Sequence, residues 1–132
     1  MKYSIISFLT FSLLMGCGKE DVSLFNKWQL SSYLKGPGEV VISQNFRLKV
    51  EFNKDQTFSC DLNTNSCTGN FEKGAKKFEI LSSECTEICC DSINSIEAYQ
   101  LLTDSVSEYE ISGKQLKLKG NNYISLQFTL LD

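Results

Sequence analysis

The sequence predicts an α+β, mainly β fold: a curved antiparallel sheet or partly open β-barrel with one helix packed against it. Three observations lead there. Apolar and polar residues alternate over most of the chain after residue 24, the period of strands with one buried and one wet face. The alternating runs are short and joined by turns rich in Asn, Asp, Gly and Lys, as neighbours in an antiparallel sheet are. A single segment, residues 92–104, carries the three-to-four residue period of a helix.

Each element can be placed from these signals. The first strand is expected at Lys27 to Leu34, with Trp28, Leu30 and Tyr33 as apolar positions and Gly36-Pro37-Gly38 as its stop. Leu48, Val50 and Phe52 alternate with Arg47, Lys49 and Glu51; Asn53-Lys54-Asp55-Gln56 turns the chain, and Phe58, Cys60 and Leu62 complete a hairpin. Cys67, Gly69 and Phe71 continue the pattern, Lys73 to Lys77 supply a further turn around Gly74, and Phe78 and Ile80 form a short return strand. Ile93, Ile96, Tyr99, Leu102 and Val106 fall at helical steps, with Asp91 or Ser92 as the N-cap, so the helix is expected from Ser92 to about Asp104. Glu97 falls off that stripe and reads as a solvated helical glutamate. Tyr109 and Ile111 lead through Ser112-Gly113 to Leu116 and Leu118, and Gly120-Asn121-Asn122 turns into Ile124, Leu126, Phe128 and Leu130. The aromatics Trp28, Tyr33, Phe46, Phe52, Phe58, Phe71, Phe78, Tyr99, Tyr109 and Phe128 sit mostly on one face of these elements and read as core.

The N-terminus has a different character. Lys2 precedes an apolar run from Ile5 to Met15, the layout of a secretory signal. As a helix that run spans roughly 16 Å, about half of a ~30 Å hydrocarbon core, too short to serve as a permanent anchor. Leu14-Met15-Gly16-Cys17 resembles the lipobox of bacterial lipoprotein precursors. The resemblance implies cleavage before Cys17, lipid on the Cys17 sulfur, and stable membrane anchoring through two or three acyl chains at ~0.8 kcal/mol per buried methylene. Gly18-Lys19-Glu20-Asp21 resembles the surface-export signal of Bacteroidota lipoproteins, beside the plainer reading of a solvated tether. The expected organisation is therefore a signal peptide at 1–16, the lipidated cysteine and short tether at 17–23, and one domain at 24–132. The expected address is the outer membrane of the cell envelope, with the cell surface as the open alternative.

Composition limits what the domain does. About 110 residues support one core and not two. The formal net charge is -3, and loss of the single positive charge of Lys2 takes it to -4. A mildly acidic chain without a basic block is not built for nucleic acid or anionic headgroups. The chain contains 0 histidines, which removes the commonest general base and metal ligand. Neither a cofactor nor a metal is expected.

Trp28-Gln29-Leu30 and Leu48-x-Val50-x-Phe52 with Phe58 precede Asn65-Ser66-Cys67-Thr68-Gly69-Asn70-Phe71. Thr86-x-x-Cys89, Glu97-Ala98-Tyr99, and Tyr109-x-Ile111-Ser112-Gly113-x-x-Leu116-x-Leu118 follow in order. This series resembles the META (HslJ-like) domain family over nearly the whole chain after the tether. The resemblance implies the curved sheet with one helix described above, structural roles for Trp28, Asn65, Gly69, Phe71, Tyr109 and Gly113, and an envelope setting linked to stress or secretion, with no common enzymatic activity. Many members carry a cysteine just before the asparagine, where Thr64 stands here, so the family's disulfide pattern does not transfer.

With Cys17 assigned to lipid, Cys60, Cys67, Cys85, Cys89 and Cys90 remain of the 6 cysteines. An oxidising envelope favours pairing them. The preferred pairs are Cys67 with Cys89 or Cys90, worth about 3 kcal/mol in the chain-entropy model, and Cys60 with Cys85, leaving one thiol over. A vicinal Cys89–Cys90 bridge and a zinc site of four thiolates are less favoured, because neither Cys-x-x-Cys nor paired short metal loops are present. The acids Glu84, Glu87 and Asp91 are accounted for by the nearby helix start.

Three classes of function stay open. The first, and preferred, is a lipid-tethered domain with a non-enzymatic binding or structural role toward an envelope protein. The second is a lipocalin-like carrier, which requires an empty apolar cavity. The third is a disulfide-stabilised inhibitor of a protease or cell-wall hydrolase, presenting Asn63 to Ser66 or Ser82 to Glu87 as a rigid loop.

Overall fold

The structure, a computed structural model, describes residues 21–37, 40–41, 48–121 and 123–132. The predicted signal peptide, Cys17, the Gly18-Lys19-Glu20 start of the tether, Gly38, Phe46 and Asn122 lie outside the described residues. The elements in chain order are β1 (Lys27–Leu34), β2 (Val40–Val41), β3 (Lys49–Phe52), β4 (Thr57–Asp61), β5 (Ser66–Lys73), β6 (Phe78–Cys85), α1 (Ile93–Asp104), β7 (Val106–Ser112), β8 (Gln115–Gly120) and β9 (Ser125–Leu130). All pairings are antiparallel, in the order β6-β5-β4-β3-β1-β9-β8-β7, with β2 paired to the end of β1.

Alternation explains the inner face. Trp28, Leu30, Val50, Phe52, Phe58, Cys60, Phe71, Leu116, Leu118, Leu126 and Phe128 all point into one core and are nearly inaccessible. Strict alternation would turn Tyr33 outward. It is instead buried, because the β1–β9 ladder passes from Leu30 opposite Phe128 to Ser32 opposite Gln127, leaving Ser31 as an extra residue. The bulge resets which side chains face inward. Ser31 then donates its hydroxyl to the Gln127 carbonyl at 3.0 Å. A second bulge at Leu81 shifts β6 against β5, with Asn70 opposite Ser82 and Phe71 opposite Ile80.

The sheet curls until its edges touch at one end. Lys77, in the turn before β6, pairs with Glu108 on β7, and the Tyr109 N–H donates to the Lys76 carbonyl at 2.8 Å. Further along, β6 and β7 diverge, and α1 packs into the opening with Ser95, Ala98, Leu101 and Leu102 buried. Ile93 and Ile96, expected on the packed stripe, are exposed, because the helix turns the face of Ser95, Ala98 and Leu102 to the sheet. Ser92 caps the helix by accepting from the Ser95 N–H at 3.2 Å, one of the two expected caps.

Within the interior, Phe52 lies edge-on to Phe71 at 5.0 Å and to Phe78 at 5.3 Å between ring centroids. Trp28 is buried with its indole N–H donated to the Leu24 carbonyl at 2.9 Å, which anchors the entering chain. The space a carrier would need is occupied by these side chains. A recess of 710 Å³ lined by residues such as Gln56, Glu72, Lys77 and Glu108 is an open cleft.

Candidate functional site

The motif residues fall into two groups at opposite ends of the sheet. At one end Tyr109 closes the barrel: its hydroxyl accepts from Lys73 Nζ at 3.1 Å and donates to the Gly74 carbonyl at 3.1 Å. Lys73 also lies 5.5 Å from the ring centroids of both Phe25 and Tyr109. The chain therefore enters the domain at the closed end. Gly113 turns β7 into β8 at φ 57°, a conformation that favours glycine.

At the other end the β4–β5 turn and the loop between β6 and α1 are joined by Asn65 and Asp91. The Asn65 amide group donates Nδ2 to the Ile88 carbonyl at 2.6 Å and to Asp91 Oδ2 at 2.7 Å. Its Oδ1 accepts from the Ile88 N–H and from Thr86 Oγ1, both at 2.8 Å. Asp91 also accepts from the Thr64 N–H at 2.7 Å and the Asn65 N–H at 3.2 Å. Desolvation works against its ionisation, but the Thr64 and Asn65 hydrogen bonds prevail and hold the carboxyl below its ordinary value. Asp91, expected near the helix as an N-cap or dipole partner, is thus the carboxylate that fixes a turn 26 residues earlier. Alternation and helix period carry no signal for such a contact.

Gly69 allows the adjacent strands β5 and β6 to approach closely. A Cβ there would lie 1.9 Å from the Ser82 carbonyl oxygen, which the bulge at Leu81 brings across β5. Phe71 and Trp28 are core, as expected from the motif.

The cysteine pairs differ from the preferred ones. Cys67 is bridged to Cys85, with Cα atoms 4.0 Å apart, and Cys89 to its neighbour Cys90; Cys60 is a buried free thiol. Register is the reason. Cys67 stands directly opposite Cys85 on β6 and opposite Cys60 on β4. Cys60 and Cys85 are two strands apart, roughly 9–10 Å, beyond the reach of a disulfide. Cys89 and Cys90 lie beyond Ile88, whose peptide is already held by Asn65, and they pair with each other. Among the described residues no group of three or more Cys, Asp and Glu is arranged to hold a metal ion.

The joined loops carry an exposed apolar ledge. Ile88 is 58% exposed, Ile93 76% and Ile96 38%, with the Cys89–Cys90 bridge between the first two in sequence and Ile93 and Ile96 on the first turn of α1. From Phe78 to Gly113 there is no Lys or Arg, while Glu79, Glu84, Glu87, Asp91, Glu97, Asp104, Glu108 and Glu110 are all acidic. Glu97 departs from its expectation as a merely solvated residue: it accepts from Tyr33 Oη at 2.8 Å and from Lys35 Nζ, tying the helix to the end of β1. The Lys35 contact, followed by that of Tyr33, holds its carboxyl below the usual glutamate value.

The family model described as META domain matches residues 22–132. Solved structures with the same fold include an NMR structure of a protein from Burkholderia xenovorans, 18% identical, covering 81% of this chain and 82% of that one, with a TM-score of 0.65. They also include the crystal structure of a DUF4847 family protein from Bacteroides vulgatus, 12% identical, covering 83% of this chain and 96% of that one, with a TM-score of 0.62. No curated protein matches the chain significantly.

Proposed function

Because the chain belongs to the META domain family, we propose that it is a lipid-anchored binding domain of the bacterial envelope that works through protein contacts and carries no catalytic centre. The observation that supports this reading is the ledge of Ile88, Ile93 and Ile96. It is apolar, lies in a stretch that carries acids and no Lys or Arg, and is held at Ile88 by Asn65, itself bonded to Asp91. It also faces away from the entry of the chain. Lys73, packed on Phe25, lies at the far end of the eight-residue strand β5 from Ser66, some 24 Å from the joined loops. A domain tethered through Cys17 would thus direct the ledge away from its own membrane. The partner that suits this surface has an apolar pocket rimmed by Lys and Arg.

Inhibition of an envelope hydrolase is a second reading, with one of its two expected loops corrected: Ser82 to Cys85 is part of strand β6, paired with β5, so only Thr86 and Glu87 of that segment lie outside the sheet. Thr86 donates its hydroxyl to Asn65 and its N–H to the Ser66 carbonyl, so it is bonded to the Asn63 to Ser66 turn.

Photo-crosslinking in cells tests both. A photoreactive residue at 88 or 93 should give a discrete protein adduct, and one at Lys54, at the entry end, should not. Equal labelling at both ends, or none at 88 and 93, rejects a docking ledge. A hydrolase in the adduct selects the inhibitor reading. For the anchor, Cys17→Ser should release the protein from the membrane fraction; if processing and membrane attachment persist, the lipid assignment fails.

A further inference from the structure

Three cysteines stand in one row across the sheet. Cys60 on β4 is opposite Cys67 on β5, which is opposite Cys85 on β6. Cys60 and Cys67 are buried on the inner face, and Cys85 is exposed at its rim. Directly opposed residues of an antiparallel pair have Cα atoms about 4.5–5.5 Å apart, within the range that a disulfide spans. Cys67 is therefore within bonding reach of a cysteine on either side and is bridged to one of them.

We propose that Cys60, Cys67 and Cys85 form an internal thiol–disulfide exchange site, in which the bridge moves from Cys67–Cys85 to Cys60–Cys67 and Cys85 is released as a surface thiol open to modification by thiol-reactive compounds and disulfides. In this step Cys60 gives its proton to solvent and its sulfur attacks Cys67 Sγ. The Cys60–Cys67 bond forms, the Cys67–Cys85 bond breaks, and the electron pair leaves on the Cys85 sulfur, which takes a proton from water. No oxidant or reductant is consumed. Displacement at sulfur requires attacker, central sulfur and leaving sulfur to lie nearly in line, and three residues at matched positions on adjacent strands supply that line. The reaction cannot skip the centre, since Cys60 and Cys85 are two strands apart.

The environment makes the exchange slow at rest. Burial pushes the Cys60 thiol up to about 12, and the neighbouring Asp61 charge acts in the same direction. Val50 on β3 and Cys67 on β5 stand opposite it, and the Tyr99 hydroxyl on α1 is within electrostatic reach. Lys27, Lys49 and Glu51 line a recess with Cys60, but burial and Asp61 set the direction of its shift. The attacking thiolate is therefore scarce at neutral pH and becomes more abundant as pH rises. The product places both core sulfurs in one bridge and leaves the thiol on the surface beside the ledge.

The test uses the mature chain isolated without reduction and held at pH 8.5 with N-ethylmaleimide. Samples are unfolded with a second alkylating reagent and cleaved before aspartate, which puts Cys60 on the peptide 55–60 and Cys67 on 61–90. Maleimide is expected on Cys85 in step with linkage of peptide 55–60 to 61–90, and Cys60→Ala should slow Cys85 labelling by at least about tenfold. A peptide 55–60 that stays unlinked overturns the proposal, whether Cys85 is labelled or not. Cys85→Ser gives an independent readout that does not depend on rate. Its bridge should lie between Cys60 and Cys67 with no free thiol on unfolding, and recovery of two free thiols rejects the exchange.

Discussion

Phe71 and Asn65 lie close in sequence and are held by different forces. Phe71 is inaccessible, its ring packed on Phe52 and 5.8 Å from the centroid of Phe78. Asn65 sits at the surface end of the sheet and is fixed by hydrogen bonds to Thr86, Ile88 and Asp91. The barrel draws its stability from apolar area, which is cooperative and insensitive to pH. The loop unit draws its shape from one amide and one carboxylate, each replaceable without disturbing the barrel. Global stability and the shape of the proposed docking surface should therefore be separable by mutation.

The largest effect tests the barrel. Phe71→Ala should cost about 3–5 kcal/mol in urea-induced unfolding, the range for a buried aromatic whose cavity cannot collapse. A loss under about 1 kcal/mol would mean that the aromatic cluster is not what holds the sheet together.

Asn65→Ala tests the other region. It removes both side-chain donors to Ile88 and Asp91 and both bonds accepted from Thr86 and Ile88, and should cost about 1–3 kcal/mol. The loss should be local. Amide exchange should accelerate at Ile88 while the amide of Leu118 keeps its protection; equal acceleration at both would erase the distinction between the two regions. Asp91 adds a pH signature. Its carboxyl is held below the ordinary aspartate value of ~3.9, so its contribution is fully present above that pH and disappears as pH falls through the lower folded value. The protection lost in Asp91→Asn should be visible at pH 6 and should shrink as the pH is taken below the ordinary aspartate value. A difference that persists at low pH would show that the asparagine variant fails because its amide N–H groups face the Thr64 and Asn65 donors, and not through loss of the charge.

The contrast also accounts for what the sequence disclosed. Burial in the strands follows the period of two, so Trp28, Val50, Phe52, Phe58, Phe71 and Leu116 can be placed inside from pattern alone, and β1 and the helix lie where the alternation and the cap put them. The helix, however, buries Ser95, Ala98, Leu101 and Leu102 and leaves Ile93 and Ile96 of the expected stripe exposed. The bulges at Ser31 and Leu81 could not, since a single extra residue leaves no compositional mark, and they decide where Tyr33 and Cys85 face. Asn65 was visible only as a motif residue. Its partner Asp91 lies 26 positions away, and its distance reflects topology, not local preference. The cysteine pairing is hidden for the same reason: register across β4, β5 and β6 decides which sulfurs meet.

Tyr109→Phe addresses the closed end with a smaller effect. It deletes the bond to the Gly74 carbonyl and the acceptor for Lys73 while keeping the ring, and should cost about 1 kcal/mol. The closing main-chain bond from Tyr109 to Lys76 remains, so amide exchange at Tyr109 should rise only modestly. Complete loss of its protection would mean that the side chain, and not the ladder, holds the edges together.

Glu97→Gln should have the smallest effect, because it lies between the two regions in character. Glu97 links α1 to β1 as the loop unit links its turns, through a carboxylate, but the pair with Lys35 is partly open to water. Exposed ion pairs of this kind contribute about 0–1 kcal/mol, since solvent screens the charges and ordering two long side chains costs entropy. Glutamine retains an acceptor for the Tyr33 hydroxyl, so the change should isolate the charge. The expected outcome is a loss of at most about 0.5 kcal/mol at low salt that shrinks in 1 M salt, with Ile88 protection unchanged. A larger loss, insensitive to salt and spreading to Ile88, would join the helix to the Asn65–Asp91 unit and extend the polar region of the molecule from the loop down to β1.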